Sequence, residues 1–257
     1  MKRVLIASTI MASLALTSTA AFAMATQPAT AGTQSANKEA GGIQSANKET
    51  QGRIEYTKEI SYLDDGSVNA VVETWVDPVT HDKRIDMMAK EEDGTVHPIS
   101  QYLKENGTKW VEVSRDKNGK AVSGKYYKLT EKEKQSVDTW TSFADSKAEF
   151  AKTGWKNEGL LESKDGKKLI KLSGQNLLED DIQPEGSKVV INEYVQIDKA
   201  TGLPVKLEAY SEYKGIKTQQ YSVAYEHKYV DDKSLFDTTG IPMKQYSKLQ
   251  WIHGVEY

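Results

Sequence analysis

Few residues in this sequence are arranged for metal or acid–base chemistry. The four histidines are His81, His97, His227 and His253. No two stand four residues apart, the spacing that sets two imidazoles on one helical face, and no His-Glu-x-x-His occurs. His227 differs from the other three in sharing the parity of Tyr225 and Tyr229, so it is expected to point inward as a hydrogen-bonded histidine at the edge of the core. The carboxylate pairs Asp64-Asp65, Asp180-Asp181 and Asp231-Asp232 fall in turn-like sequence, without the ligand spacing of a calcium loop. No Gly-x-Ser-x-Gly elbow and no phosphate-binding glycine loop is present. There is no cysteine, which removes thiol chemistry and disulfides together. Two carboxylates from distant strands could still meet in a glycosidase-like pair, an arrangement that local sequence does not display. The expectation is a protein that is not an enzyme and has no metal and no cofactor.

What remains is chemistry of binding. Trp140, Phe143 and Phe150 are large side chains on a predicted helix, and Trp155 follows it. Thr130 with Glu133 fits a capping box, Val137, Trp140, Ala144, Ala148 and Ala151 keep helical spacing, and Gly154 is a natural stop. The pattern predicts one helix from about Glu131 to Thr153. Either these aromatics pack on a sheet as ordinary core, or helix and sheet enclose a cavity for an apolar guest. Shorter helical turns are expected from Pro98 to Asn106-Gly107 and over Leu177–Ile182.

The elements that position them are strands. From Arg53 onward the dominant period is two: Ile54, Tyr56, Ile60 and Tyr62 share a parity, as do Val205, Leu207, Ala209 and Tyr213. Tyr221, Val223, Tyr225 and Tyr229 form another such run, and Ile191, Val195 and Ile197 a fourth. Asp65-Gly66, Asp93-Gly94, Asn106-Gly107, Asn118-Gly119 and Asp165-Gly166 punctuate the chain. Such pairs accept the positive φ of tight hairpins, so the strands are expected to be antiparallel neighbours. The fold class is α+β and strand-dominated.

The chain opens Met1-Lys2-Arg3, runs uncharged from Val4 to Phe22 and closes on Ala21-Phe22-Ala23, the layout of a secretory signal peptide over residues 1–23. Its apolar part is shorter than the ~20 residues that span a bilayer. Without cysteine, no lipid can be attached at the cleavage site, so no stable membrane anchor is expected once the leader is removed. Residues 24–52 are polar and small and repeat Gln-Ser-Ala-Asn-Lys-Glu at Gln34 and Gln44. Such a composition cannot offset its ordering entropy and reads as a flexible linker. Residues 53–257 are read as one β-rich domain, monomeric, outside the cytoplasm: periplasmic or beyond the cell wall. The formal charge is −3, and losing Lys2 and Arg3 with the leader moves it to −5. A mildly acidic surface disfavours nucleic acid as a partner.

One hairpin and the strands after it carry a resemblance. Tyr194-Val-Gln-Ile-Asp-Lys-Ala-Thr-Gly-Leu-Pro-Val-Lys-Leu-Glu208 is followed by Tyr221-Ser-Val-Ala-Tyr-Glu226 and by Val230-Asp-Asp-Lys-Ser-Leu-Phe-Asp237. This resembles the superfamily of outer-membrane lipoprotein carriers, with its periplasmic sigma-factor regulators and mycobacterial lipid-binding lipoproteins. The resemblance implies a curved, unclosed antiparallel β half-barrel, a meander with one long helix and short helices over its concave face. It implies a carrier of a lipid, acyl chain or lipidated peptide; Trp140, Phe143, Trp155, Tyr194, Tyr221 and Tyr225 are the residues expected to bind such a ligand. The alternative is an envelope interaction or regulatory protein, the same fold with a filled core and a protein partner.

Overall fold

The computed structural model describes residues 52–90, 96–131, 133–134, 142–179, 188–213 and 216–253. The predicted leader, the linker up to residue 51, the Asp93-Gly94 turn, Asp180-Asp181 and Trp140 lie outside the described residues. Six strands come first: β1 (Ile54–Tyr62), β2 (Val68–Val76), β3 (Lys83–Lys90), β4 (Val96–Lys104), β5 (Lys109–Arg115) and β6 (Ala121–Lys128). Helix α1 (Phe143–Phe150) precedes β7 (Lys156–Glu162), β8 (Lys168–Glu179), β9 (Lys188–Asp198), β10 (Pro204–Tyr213) and β11 (Ile216–Val230). A 3-10 turn (Lys233–Phe236), β12 (Met243–Gln245) and α2 (Lys248–His253) follow.

All twelve strands form one open, curved sheet in the order β12-β6-β5-β4-β3-β2-β1-β11-β10-β9-β8-β7. Each of the two runs, β1–β6 and β7–β11, is a meander of hairpins. The described Asp-Gly and Asn-Gly pairs stand at its turns, and Gly66, Gly107, Gly119 and Gly166 all have positive φ. The two meanders join where β11 pairs antiparallel with β1, Ile54 opposite Val230 and Tyr62 opposite Ser222. Only β12 runs parallel to its neighbour, β6. Because β6 and β7 end up near opposite edges, the chain between them must cross the sheet, and α1 lies in that crossing.

Period two sorts the side chains onto two faces. Ile54 and Tyr56 of β1 and Trp75 of β2 pack with Phe236 of the 3-10 turn on one face. Farther along that face, Tyr102, Val111 and Val113 pack with Ile241 and Met243. The segment after β11 is therefore a strap over the β1–β6 half. Arg84 Nη1 donates to the Leu235 carbonyl at 2.9 Å and Lys104 Nζ to the Phe236 carbonyl at 2.6 Å. The opposite face buries Leu103, Trp110 and Leu129 against Trp251 of α2. It also buries Leu172, Val195 and Ile197 against Phe150 and Trp155.

Three predicted helical segments need correction. The Thr130–Glu133 capping box forms, with the Thr130 N–H donating to Glu133 Oε2 at 2.8 Å. The helix does not run unbroken to Thr153, however. Ser142 is extended (φ −69, ψ 166) and opens α1 with a second capping box to Asp145, and α1 stops at Phe150, capped by Ala151. An extended N-cap cannot lie inside a continuous helix. Pro98–Lys104 belongs to strand β4, paired on both sides, and Leu177–Glu179 belongs to β8. Ile182 lies outside the described residues.

Candidate functional site: the sheet face beneath α1

The odd-numbered residues of β1 and β11 meet as cross-strand pairs: Glu55 opposite Tyr229, Thr57 opposite His227, Glu59 opposite Tyr225. Antiparallel partners point to the same side, so acids and rings alternate along one stripe. Two strands away Ala209 of β10 is in register with both Tyr221 of β11 and Glu193 of β9. Ala209 is fully buried and carries only a methyl group, so the Tyr221 hydroxyl reaches over β10 and donates to Glu193 Oε1.

Helix α1 sits on this stripe. Its first N–H, from Phe143, donates to Glu55 Oε2 at 2.7 Å. The Phe143 ring is 3% exposed and lies edge-on against His227 (5.3 Å between centroids) and Tyr229 (5.2 Å). At the other end Phe150 tilts against Trp155 at 5.4 Å. Trp155 seats on Gly174, where an added Cβ would lie 3.1 Å from the indole ring. A glycine there is a requirement of close approach, independent of backbone angle.

Burial dominates the electrostatics of the face. It pushes the Glu59 carboxyl up to about 7. It raises Glu193 against the lowering effect of the Tyr221 hydrogen bond, and Glu55 against that of the Phe143 N–H. The Tyr221 and Tyr225 phenols are raised by burial, so both stay protonated and can donate. Burial also lowers His227. Its Nε2 lies 2.8 Å from the Pro204 carbonyl, which can only accept, so Nε2 carries the proton and Nδ1 accepts from Thr57 Oγ1 at 3.2 Å. Both ring nitrogens are engaged, as the parity of His227 predicted. The arrangement offers aromatic surface beside carboxyls that burial holds toward their protonated forms.

Of the predicted ligand-binding residues, Phe143, Trp155, Tyr221 and Tyr225 come together on this face. Tyr194 does not. It lies on the opposite face beside Tyr210 (6.1 Å), with the ammonium groups of Lys171 and Lys217 over its ring at 5.3 and 5.2 Å. Two open recesses, of about 340 and 230 Å³, lie elsewhere, beside Tyr62 and Lys206 and beside Asp77 and Phe236.

No family model matches the sequence, and no curated protein matches it. Solved structures align over much of the chain at low similarity. The MucA/MucB complex of Pseudomonas aeruginosa shows 13% identity over 74% of this chain and 57% of that one, with a TM-score of 0.36. PNGF-II shows 8% identity over 77% of this chain and 32% of that one, at 0.35. A β-barrel-like protein of Brucella abortus, of the domain of unknown function DUF1849, shows 10% identity over 70% and 96%, at 0.19. The chain thus spans little more than half of the matched chain in the first complex and a third of PNGF-II.

Sequence reading missed Glu55, Glu59 and Glu193. A signal existed for Glu193, an acid on the parity of Ile191, Val195 and Ile197. For Glu55 and Glu59 the even parity of Ile54 and Tyr56 drew attention to the other face of the same strand.

Proposed function

We propose that this chain is a non-catalytic binding protein acting outside the cytoplasm, and that it works through its sheet surface on a protein partner of the cell envelope. The observation that supports it is an apolar row left uncovered on the face opposite α1. Val71 is opposite Ile60 and Met88 opposite Pro98, with Val96 next along β4. Val71, Met88 and Val96 are 36, 54 and 51% exposed. Contiguous apolar side chains on a soluble surface mark contact sites. The carrier reading takes second place because the seat where an apolar guest would lie beneath α1 is filled by the protein's own Phe143. A lipid or acyl chain could enter there only if α1 lifted.

A photo-reactive amino acid at Met88, in the native host, tests the proposal against the same group at the exposed turn residue Lys164. One discrete protein adduct from position 88 and none from 164 is the expected result. Native mass spectrometry of protein purified from that host is expected to show the bare polypeptide mass. A lipid retained at one equivalent, with no adduct from position 88, would favour the carrier instead.

A further inference from the structure

Without β12, β6 would be the edge strand of the sheet. β12 pairs with three of its eight residues, Gly124, Lys125 and Tyr126. The strap holds that edge from both sides. Ile241 and Met243 pack on Tyr102, Val111 and Val113 on one face, and Trp251 of α2 packs with Leu103, Trp110 and Tyr127 on the other. The Met243 sulfur occupies the space that a side chain at Gly124 would need, and the Gly124 N–H donates to the Pro242 carbonyl at 2.8 Å. This hold is lighter than that of the strap's first turn, where Phe236 is buried and Arg84 and Lys104 bond the carbonyls of Leu235 and Phe236. The β12–β6 ladder is parallel, the less stable kind per residue, and it sets Lys244 beside Lys125. Pro242, Lys244, Gln245, Ser247 and Lys248 are exposed. Release also breaks the Lys248–Glu133 ion pair, whose lysine is exposed, and the contact of the Lys125 ammonium with Trp251 at 4.7 Å.

We propose that the β6 edge is a self-pairing surface that the strap keeps closed: when residues 238–253 come away, two copies of the chain join β6 to β6, antiparallel and centred on Gly124. A bare strand edge is a template for another strand. The sequence of β6 is what commits the occupant to a second copy. Antiparallel partners point to the same side of a sheet, so pairing centred on Gly124 keeps the strap-side faces of both copies on one side. It places Val122 opposite Tyr126 of the second copy, Ser123 opposite Lys125 and Ala121 opposite Tyr127. No like charges meet, in contrast to Lys244 against Lys125 in the closed form. Val122, 56% exposed when closed, gains an aromatic neighbour. Tyr126, which packs near Ile241 and Met243 when closed, gains an aliphatic one in their place. The whole of 121–127 is then paired, where β12 pairs only 124–126. This surface is separate from the apolar row at Met88 and does not rest on the partner proposed there.

Analytical ultracentrifugation of full-length variants tests it. Met243→Asp sets a charge against the Tyr102, Val111 and Val113 cluster. It should raise the sedimentation mass from one chain to two, in a concentration-dependent way, with cooperative unfolding retained. Trp251→Ser loosens the strap from the other face and carries the same expectation if Met243→Asp fails to fold. Added to either, Ser123→Lys places two like-charge pairs across the junction and should weaken association several-fold. Ser123→Glu places two opposite-charge pairs there and should strengthen it several-fold. The chain has no cysteine, so Lys125→Cys with Lys244→Cys, neighbours in the β6–β12 ladder, can lock the strap. Combined with Met243→Asp, that pair should hold the chain monomeric when oxidised and release the dimer when reduced. A folded variant that stays monomeric at every concentration overturns the proposal. So does association that responds equally to lysine and glutamate at position 123, or that survives in the oxidised chain.

Discussion

The Tyr221 hydroxyl and the Glu193 carboxylate meet across the full width of an intervening strand, with Ala209 beneath them. This bridge ties β11 to β9 on the face that α1 covers. Tyr221→Phe keeps the ring and removes the donor, leaving a buried carboxylate short of one partner. The expected cost is about 1–3 kcal/mol, read from urea unfolding at pH 7.5. An unchanged midpoint would mean that water replaces the phenol without penalty.

Glu59 sets a pH dependence of stability. Burial pushes its folded carboxyl up to about 7, above the ordinary 4.5. The folded state therefore holds this proton more tightly than the unfolded chain. The contribution is fully present below about pH 4.5 and is lost as pH rises to 7. Glu59→Gln should stabilise the protein by roughly 1–3 kcal/mol at pH 8 and have little effect at pH 4.5. Equal effects at the two pH values would show that Glu59 is solvated.

Phe143→Ala should be among the costly truncations in the chain. The ring is nearly fully buried between His227 and Tyr229, so its loss leaves a cavity worth about 3–5 kcal/mol. The parent should bind no apolar fluorescent probe. A small loss of stability together with probe binding in the parent would restore the carrier reading.

Gly202 closes the β9–β10 hairpin at φ +73, its N–H donating to the Asp198 carbonyl at 2.7 Å. A β-branched side chain is strained at that angle. Gly202→Val should cost roughly 1 kcal/mol or more by thermal or chemical unfolding. The tight turn between these strands is the one the Thr201-Gly202 sequence predicted.

Local features of the fold were legible because they depend on neighbours in the chain. Hairpin turns require a positive φ, which Asn-Gly and Asp-Gly supply, and half-buried strands such as β11 alternate visibly. β4 reads as a helical turn in the sequence because its second half, from Ile99 to Leu103, is covered on both faces. Ser100, Tyr102 and Leu103 are all at most 1% exposed, so no polar–apolar alternation remains to betray a strand. The second capping box at Ser142 was equally present in the sequence, but the aromatic spacing on either side of it masked the break.

By itself, then, the sequence determined a strand-dominated chain of hairpins without thiols, with a histidine facing inward at position 227. The tertiary structure alone decided that β11 pairs with β1, 150 or more residues away, and that this junction lays Glu55, Glu59 and Glu193 on one face with Tyr221, Tyr225 and His227. The physical reason is that period two fixes which residues of a strand share a side, but not which strand lies beside it. Register between distant strands is chosen by how whole faces pack, and an Ala209 small enough for a tyrosine to cross acquires meaning only once its neighbours are known.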